Sequence, residues 1–241
     1  MNTVSGFERC LAFINCQLTP HDLAQGDKGG SVRCVTISRQ AGCGARVFAE
    51  ELAACLQARH PHGARPWTVF DRTLLEAILR DHHLPARLAS FMPEDRVGVL
   101  KDIIEDLFSL HPPTETLVRG SSETILRLAE LGNAIIVGRG ANVITARLPG
   151  MLHVRLVGAV ENRAARLQQF DHLDRADARK RITREDRGRR RYFKRYFNKD
   201  IDDALLYHFV INTDGVALAD AARMVAAYAL NRAAPLPAIS S

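Results

Sequence analysis

The chain alternates short, continuously apolar segments with stretches of helical spacing, and this alternation restricts the possible folds more than any other feature. Each apolar segment is rich in β-branched residues and bounded by glycine, proline or polar residues. We predict five buried strands: Arg33–Ser38, Trp67–Phe70, Asn133–Val137, Met151–Val157 and His208–Ile211. We predict helices after Gly44 and over Arg72–Asp81, Pro93–Leu110, Glu115–Leu131, Ala141–Arg147, Val160–Gln169 and Ala217–Leu230. Strands that are apolar on both faces need helices on both sides, so we expect an α/β fold around a five-stranded parallel sheet.

Composition places the chain among ordinary folded proteins. Of its 241 residues, 46% are hydrophobic and 25% are charged, and a chain of this length can bury a core without disulfides or metal ions. It contains no run of 18 apolar residues and no basic start followed by a long apolar stretch, so we expect neither a membrane span nor a signal peptide. The five cysteines form no CxxC pair, which favours a reducing compartment; we predict a cytoplasmic location and no structural zinc.

The positive charge is concentrated in one segment. The net charge is +6, yet the segment from Arg175 to Arg195 alone carries eleven Lys or Arg against three Asp or Glu. The remainder of the chain is therefore slightly acidic. A localised basic segment of this kind indicates a polyanionic partner.

A glycine turn, AGCGA, joins the first predicted strand to the helix that follows it. In open α/β sheets ligands bind at the carboxyl ends of the strands, and a helix N-terminus there offers N–H groups and a positive dipole to phosphate. The turn does not match GxxxxGK[ST], because Arg39 stands for the first glycine, Ala45 for the lysine and Val47 for the threonine of nucleoside monophosphate kinases. Val47 also breaks a GxGxxG dinucleotide fingerprint. The turn alone therefore fits either a phosphate site or a plain strand–helix connection.

The stretch Ile37–Arg46 reads ISRQAGCGAR and resembles the ISRQxGSGGR stretch of the cytidylate kinase-like family. The resemblance covers roughly Arg33 to Leu230 in separate segments. It implies a three-layer α/β/α P-loop kinase fold with a helical acceptor-binding region and an arginine-rich lid. The expected division is an N-terminal helical extension and loop over 1–32, the family domain over 33–231 with its lid at about 172–200, and a tail over 232–241.

The resemblance assigns the phosphates of ATP to the glycine turn. Arg46 would replace the usual lysine, since a guanidinium group can clamp phosphate in a bidentate manner. Val47 cannot ligate magnesium, so the metal ligands stay unassigned, although ATP and Mg²⁺ are the expected cofactors. The residues expected to contact ATP are Ser38, Arg39, Gln40, Ala41, Gly42, Cys43, Gly44, Ala45, Arg46 and Val47.

Two further segments of the resemblance point to the acceptor. WTVFD ends in Asp71, which could contact a base, a ribose or a water on magnesium, and which could equally cap the following helix. IIVGRGAN resembles the family's VGR segment, and its Arg139 is expected to bind the acceptor, because a buried arginine is costly without an anionic partner. Gly140 stands where the GRD turn of cytidylate kinases has aspartate, which removes one expected base contact.

The basic segment resembles the family's lid through Asp186, Arg189 and Tyr192. The expected transition-state cations are Arg184 and Arg189, followed by Arg181, because positioned cations stabilise the charge in phosphoryl transfer. Asp186 is expected to orient an arginine within the acceptor site. A solvated basic helix is the plain alternative. Binding of single-stranded nucleic acid is another, since aromatic residues interleave with the cations, although their helical spacing fits internal packing better.

The functional prediction is ATP-dependent phosphoryl transfer to a nucleoside monophosphate, cytidylate-like, or to a similar small acceptor. The alternatives are a nucleotide-binding module without turnover, motivated by the missing lysine and threonine, and a nucleic-acid-binding protein that uses the basic segment. The expected partners are nucleotides, with no membrane and with nucleic acid disfavoured. The sequence does not assign an oligomeric state.

Overall fold

The computed structural model describes residues 32–58, 66–80, 94–108 and 116–231. Within these ranges five parallel strands form one sheet in the order β2-β3-β1-β4-β5. The strands are β1 Cys34–Arg39, β2 Thr68–Phe70, β3 Ala134–Val137, β4 Met151–Val157 and β5 Phe209–Asn212. The predicted five-stranded parallel sheet is confirmed, and each strand boundary lies within one residue of its prediction.

Helices connect the strands and cover both faces. They are α1 Ala45–Gln57, α2 Arg72–Arg80, α3 Glu94–Phe108, α4 Thr116–Leu131, α5 Ala141–Ile144, α6 Val160–Asp171, α7 Arg175–Phe197 and α8 Leu218–Leu230, with a short 3₁₀ turn at Ala204–Leu206. The helix predicted over Ala141–Arg147 ends three residues early, because the chain turns at Thr145, whose carbonyl accepts the Leu148 N–H at 3.0 Å.

Two apolar layers separate the sheet from its helices. On one face α1 and α8 pack on the sheet through residues such as Phe48, Leu52 and Val225. On the other face Leu75, Ile125 and other residues of α2, α3 and α4 pack with the carboxyl end of α7. The three-layer α/β/α prediction is therefore confirmed for the described residues. The predicted N-terminal extension up to residue 31 and the tail from residue 232 lie outside them, and the domain boundaries stay predictions.

The central strand sets the position of the site. β1 lies between β3 and β4, with Ile37 opposite Val137 and Arg39 opposite Leu156. From β1 the chain passes to β2 and then β3 on one side, and continues to β4 and β5 on the other side. The direction of winding therefore reverses beside β1. A crevice at the carboxyl ends of the strands is expected at such a switch point. None of the described helices is both long and apolar enough to cross a membrane.

Candidate functional site

The turn between β1 and α1 needs glycine at two positions. Gly42 and Gly44 have φ angles of 78° and 73°. A Cβ on Gly42 would lie 2.6 Å from the Arg163 carbonyl oxygen, and a Cβ on Gly44 would lie 2.5 Å from Leu218 Cδ1. The first hydrogen bond of α1 runs from Phe48 N–H to Gly44 O at 3.0 Å, so the N–H groups before it have no helical acceptor. This geometry suits an anion at the start of α1.

A buried ion pair fastens this turn to two helices. Arg163 of α6 is 4% exposed, and its Nη1 lies 2.7 Å from Oδ2 of Asp186 on α7, which is 9% exposed. Asp186 Oδ1 accepts the Ala41 N–H at 2.8 Å, and Arg163 donates to Ala41 O at 2.9 Å. Arg163 also donates to Gly158 O at 2.8 Å. Because this ion pair hydrogen-bonds both the N–H and the carbonyl oxygen of Ala41, it fixes the position of the turn.

This placement bears on the role predicted for Asp186. Its carboxylate accepts hydrogen bonds from Ala41, Arg163 and, at 3.0 Å, Arg189. The contact with Arg189 agrees with an orienting role. A direct contact between Asp186 and an acceptor stays a prediction. Arg163 was missed by the sequence analysis, and no motif marks it.

A second buried arginine supports the end of β1. Arg155 of β4 is 3% exposed, donates to Ser38 Oγ at 2.9 Å and forms an ion pair with Asp202. The Tyr207 ring lies 5.5 Å from the Arg155 guanidinium carbon, and the Tyr207 hydroxyl donates to Ile201 O at 2.8 Å. Arginine inside the apolar strand MLHVRLV was the sequence signal that could have revealed this support.

The predicted cations fall into different environments. The Arg46 side chain is 82% exposed and pairs with Glu50 at 3.0 Å, which raises the pKa of Arg46. Arg181 pairs with Asp171 at 2.6 Å and with Glu185 at 2.8 Å. Arg184 is exposed and has no ion pair within the described part of the chain.

An open cavity of about 600 Å³ lies at the carboxyl ends of β1 and β3. Five residues of the predicted site line it together, and they come from β1, the turn after β3 and α7: Ser38, Arg39, Arg139, Arg184 and Arg189. Glu185 of α7 also lines it, as does Arg72 at the start of α2. Arg181 and Arg46 do not belong to this lining.

The side chain of Arg39, which the sequence analysis assigned to the ATP phosphates at the glycine turn, lines this cavity. Its guanidinium lies against Gly138, where any side chain would overlap Arg39 Nη1. Burial lowers the pKa of Arg39 to about 10, and repulsion from Arg189 and Arg139 adds to this, against attraction from Glu185 and Asp71. Several cations therefore converge on one small volume.

Arg139 has a partner within the chain. Its guanidinium forms an ion pair with Glu76 of α2, which also pairs with Arg72 at 2.8 Å. The hydrogen bond from Arg72 and the charge of Arg139 hold the pKa of Glu76 below its usual value. The argument that Arg139 needs an external anion is therefore wrong, because Glu76 supplies the counter-charge. An acceptor contact by Arg139 stays a prediction.

Asp71 and Gly140 have defined local roles. Asp71 Oδ1 accepts the Leu74 N–H at 2.9 Å, so its interpretation as the cap of α2 is confirmed. Gly140 has a φ angle of 71°, and a Cβ there would overlap the Phe197 ring of α7. The Phe197 ring therefore explains why this turn has glycine where the GRD turn has aspartate.

The basic segment forms one 23-residue helix, α7. Its aromatic residues pack inward: Phe193 and Phe197 are buried, and Tyr192 and Tyr196 pack against the same core. Internal packing of the aromatics is therefore confirmed, and the expectation that the protein does not bind nucleic acid stays a prediction. Closure of α7 as a lid, and the lid boundaries at about 172–200, stay predictions.

The described residues do not form a dedicated metal cage. Nowhere among them do three or more carboxylate, histidine or cysteine side chains come together to hold a metal ion. Magnesium in nucleotide sites is often bound by substrate phosphates, water and only one or two carboxylates. Asp71, at the end of β2, acts electrostatically on both Arg39 and Arg46. This arrangement fits a magnesium ion that arrives on a nucleotide.

A parallel sheet of this strand order, with a glycine turn that feeds a helix beside the central strand, defines a P-loop kinase-type α/β protein. The chain belongs to the cytidylate kinase-like family, whose sequence model matches residues 34–215. It therefore has a nucleotide kinase-like fold. Comparison with curated proteins finds no significant match.

Solved structures are similar to the chain at low sequence identity, and the first described here shows the same fold. An uncharacterized protein from Eubacterium ventriosum has a TM-score of 0.63 and 19% identity, and the alignment covers 82% of this chain and 98% of that one. Shikimate kinase from Bacteroides thetaiotaomicron has a TM-score of 0.43 and 11% identity, with 80% and 95% of the two chains covered. TT1252 from Thermus thermophilus has a TM-score of 0.37 and 15% identity, with 82% and 96% covered.

Proposed function

We propose that the protein transfers the γ-phosphoryl group of ATP to a nucleoside monophosphate or a similar small acceptor. One observation carries the proposal: an arginine-lined cavity of about 600 Å³ opens at the end of β1, where the glycine turn begins α1. An anion-binding turn beside a second cationic cavity is what a reaction between two phosphorylated molecules requires. Membership of the cytidylate kinase-like family supports the same reaction class.

The residues would act mainly by position and charge. The N–H groups at the start of α1 would hold the phosphates of ATP, and Arg46 would add a flexible cation. Arg184 and Arg189, which line the cavity from α7, would stabilise the charge that moves between donor and acceptor. Magnesium, when bound to ATP, would neutralise phosphate charge, and Asp71 would hold one of its waters. The predicted cytoplasmic location belongs to this proposal.

A turnover assay tests the proposal. ATP consumption is measured with CMP, UMP, AMP and GMP as separate acceptors, and the products are identified by chromatography. Arg184→Met and Arg189→Met should each lower kcat by about 10² or more, the usual scale for a lost transition-state donor. Arg223→Met is a matched control, because Arg223 is an exposed arginine of α8 that pairs with Asp220. Equal losses in all three variants would contradict the assigned roles.

A nucleotide-binding module without turnover is the second candidate. It is favoured by Ala45 and Val47, which stand where a lysine and a threonine are usual, and by the largely exposed Arg46. In that case ATP would stabilise the protein in thermal denaturation, in proportion to RT ln(1 + [L]/Kd), while no monophosphate would be phosphorylated. Arg46→Ala should weaken ATP binding under either candidate, and an unchanged ATP Kd would remove Arg46 from the phosphate site.

A further inference from the structure

We propose that Arg39 and Asn142 bind the phosphate group of the acceptor, so that the cavity between β1, β3 and α7 selects a phosphate monoester dianion. The proposal rests on the proposed function for the identity of the ligand as an acceptor. The binding site itself follows from the side chains that meet there. It moves Arg39 from the ATP site, where the sequence had placed it, to the other substrate.

The first observation is the environment of the Arg39 guanidinium. It is half-buried, and within the described residues no hydrogen bond or ion pair holds it. It lies against Gly138 and shares the cavity with Arg139 and Arg189. Crowding of like charges in a partly desolvated space is unfavourable until an anion enters.

The second observation is the balance of charge around the cavity. Five arginines line it together with one carboxylate, Glu185, and the arginines are Arg39, Arg72, Arg139, Arg184 and Arg189. Glu185 is already shared between Arg181 and Arg189, and Glu76 is shared between Arg72 and Arg139. Within the described residues, Arg39 and Arg184 therefore form no ion pair, although Glu185 and Asp71 attract Arg39 without contacting it. A doubly charged oxyanion can form the ion pairs that Arg39 and Arg184 lack within the described residues.

The third observation is an unpaired buried donor. Asn142 of α5 is 4% exposed and lines the same cavity, and its Nδ2 has no hydrogen-bond partner among the residues that the structure describes. A buried donor without a partner costs free energy, so such groups in folded proteins usually face a ligand or water. An amide N–H₂ can donate to a phosphate oxygen and fix its orientation without adding charge.

The backbone that carries Asn142 also departs from ordinary geometry. Gly138, Arg139 and Gly140 have φ angles of 87°, 56° and 71° in succession. Arg139 is not glycine, and strain of this kind is kept where the surroundings require it. The turn brings the end of β3 close enough for Arg39 to lie on Gly138 and for Asn142 to reach the cavity.

The test measures binding, so it does not depend on turnover. Inorganic phosphate, CMP and cytidine are titrated at constant ionic strength, with the midpoint of thermal denaturation and isothermal titration calorimetry as readouts. The wild type should bind CMP at least tenfold more tightly than cytidine. Arg39→Met and Asn142→Asp should each weaken CMP and phosphate at least tenfold, while their ATP affinity changes less than threefold. Asn142→Ala repeats the test if Asn142→Asp does not fold, and Arg223→Met should leave all affinities unchanged.

The outcomes separate this proposal from the proposed function. CMP binding that depends on Arg39 and Asn142, without turnover, supports the site and removes the kinase activity. Turnover with CMP affinity unaffected in both variants overturns the site and leaves the kinase activity standing. Loss of ATP affinity instead of CMP affinity in Arg39→Met returns Arg39 to the ATP site and also overturns the proposal, as does a wild type that binds none of the phosphorylated probes.

Discussion

Replacing Asp186 by alanine should strongly lower the free energy of unfolding, because Asp186 belongs to a buried ion pair. The substitution leaves the Arg163 guanidinium, 4% exposed, without its carboxylate, and it also leaves the Ala41 N–H without an acceptor. Removal of one partner from a buried ion pair costs about 3–5 kcal/mol, because the other charge stays buried and uncompensated. We expect a loss in this range in the free energy of unfolding.

Urea denaturation monitored by the fluorescence of Trp67, the chain's only tryptophan, measures this loss. The matched control is Glu105→Ala, which breaks an exposed pair with Lys101 on α3 and should cost about 0–1 kcal/mol. Exchanging both Arg163 and Asp186 for Met and Leu should cost less than Asp186→Ala alone, because no charge is then stranded. A loss below about 1 kcal/mol for Asp186→Ala would refute the reasoning that this pair anchors the turn.

Three further predictions concern packing and pH. The pKa of His153 is lowered to about 3 by burial and by His208, so between pH 6.5 and pH 3 the native state binds fewer protons than the unfolded state. The free energy of unfolding should therefore decrease as the pH is lowered through that window. At pH 5 this group should lower the free energy of unfolding by about 2 kcal/mol relative to pH 8. The difference should vanish in His153→Gln, as measured by urea titrations at the two pH values. Gly44→Ala should lower the thermal midpoint by several degrees, since its Cβ would meet Leu218 at 2.5 Å; an unchanged midpoint would show that Leu218 moves freely. Gly140→Asp, which recreates a GRD turn, should lower the midpoint through its clash with Phe197, and Phe197→Ala should remove the difference between glycine and aspartate at 140.

The fold could be predicted from the sequence because its signals are local. A strand such as Ala134–Val137 is apolar throughout and lies between Gly132 and Gly138, and both properties depend only on neighbouring residues. The glycine turn was visible for the same reason, since Gly42 and Gly44 serve a backbone conformation set within a few residues. The order of the strands in the sheet was not predicted, because the apolar pattern of a strand does not say which strands lie beside it.

The side-chain partners of the site could not be predicted, because they join residues far apart in the chain. The rule that a buried arginine needs an anion was applied to Arg139, yet Arg139 pairs with Glu76, whereas the half-buried Arg39 forms no ion pair among the described residues. The ion pair of Arg163 with Asp186, and its contact with Ala41, span three separate elements. The spacing of residues along the sequence does not indicate which residues of distant segments are in contact.

The way α7 is held changes what a lid could do here. Its buried face includes Ala178, Ile182, Asp186 and Phe193, so it packs along most of its length. Lifting the middle of α7 from the turn would break the contact of Asp186 with Ala41 and expose a charged pair, which is more costly than parting two solvated surfaces. The helix that carries Arg184 and Arg189 is therefore held in place before a ligand binds, and the Arg189 guanidinium is also held by Glu185 and Asp186. Preorganised cations need no rearrangement when charge develops, and this is the condition under which electrostatic stabilisation of phosphoryl transfer is largest.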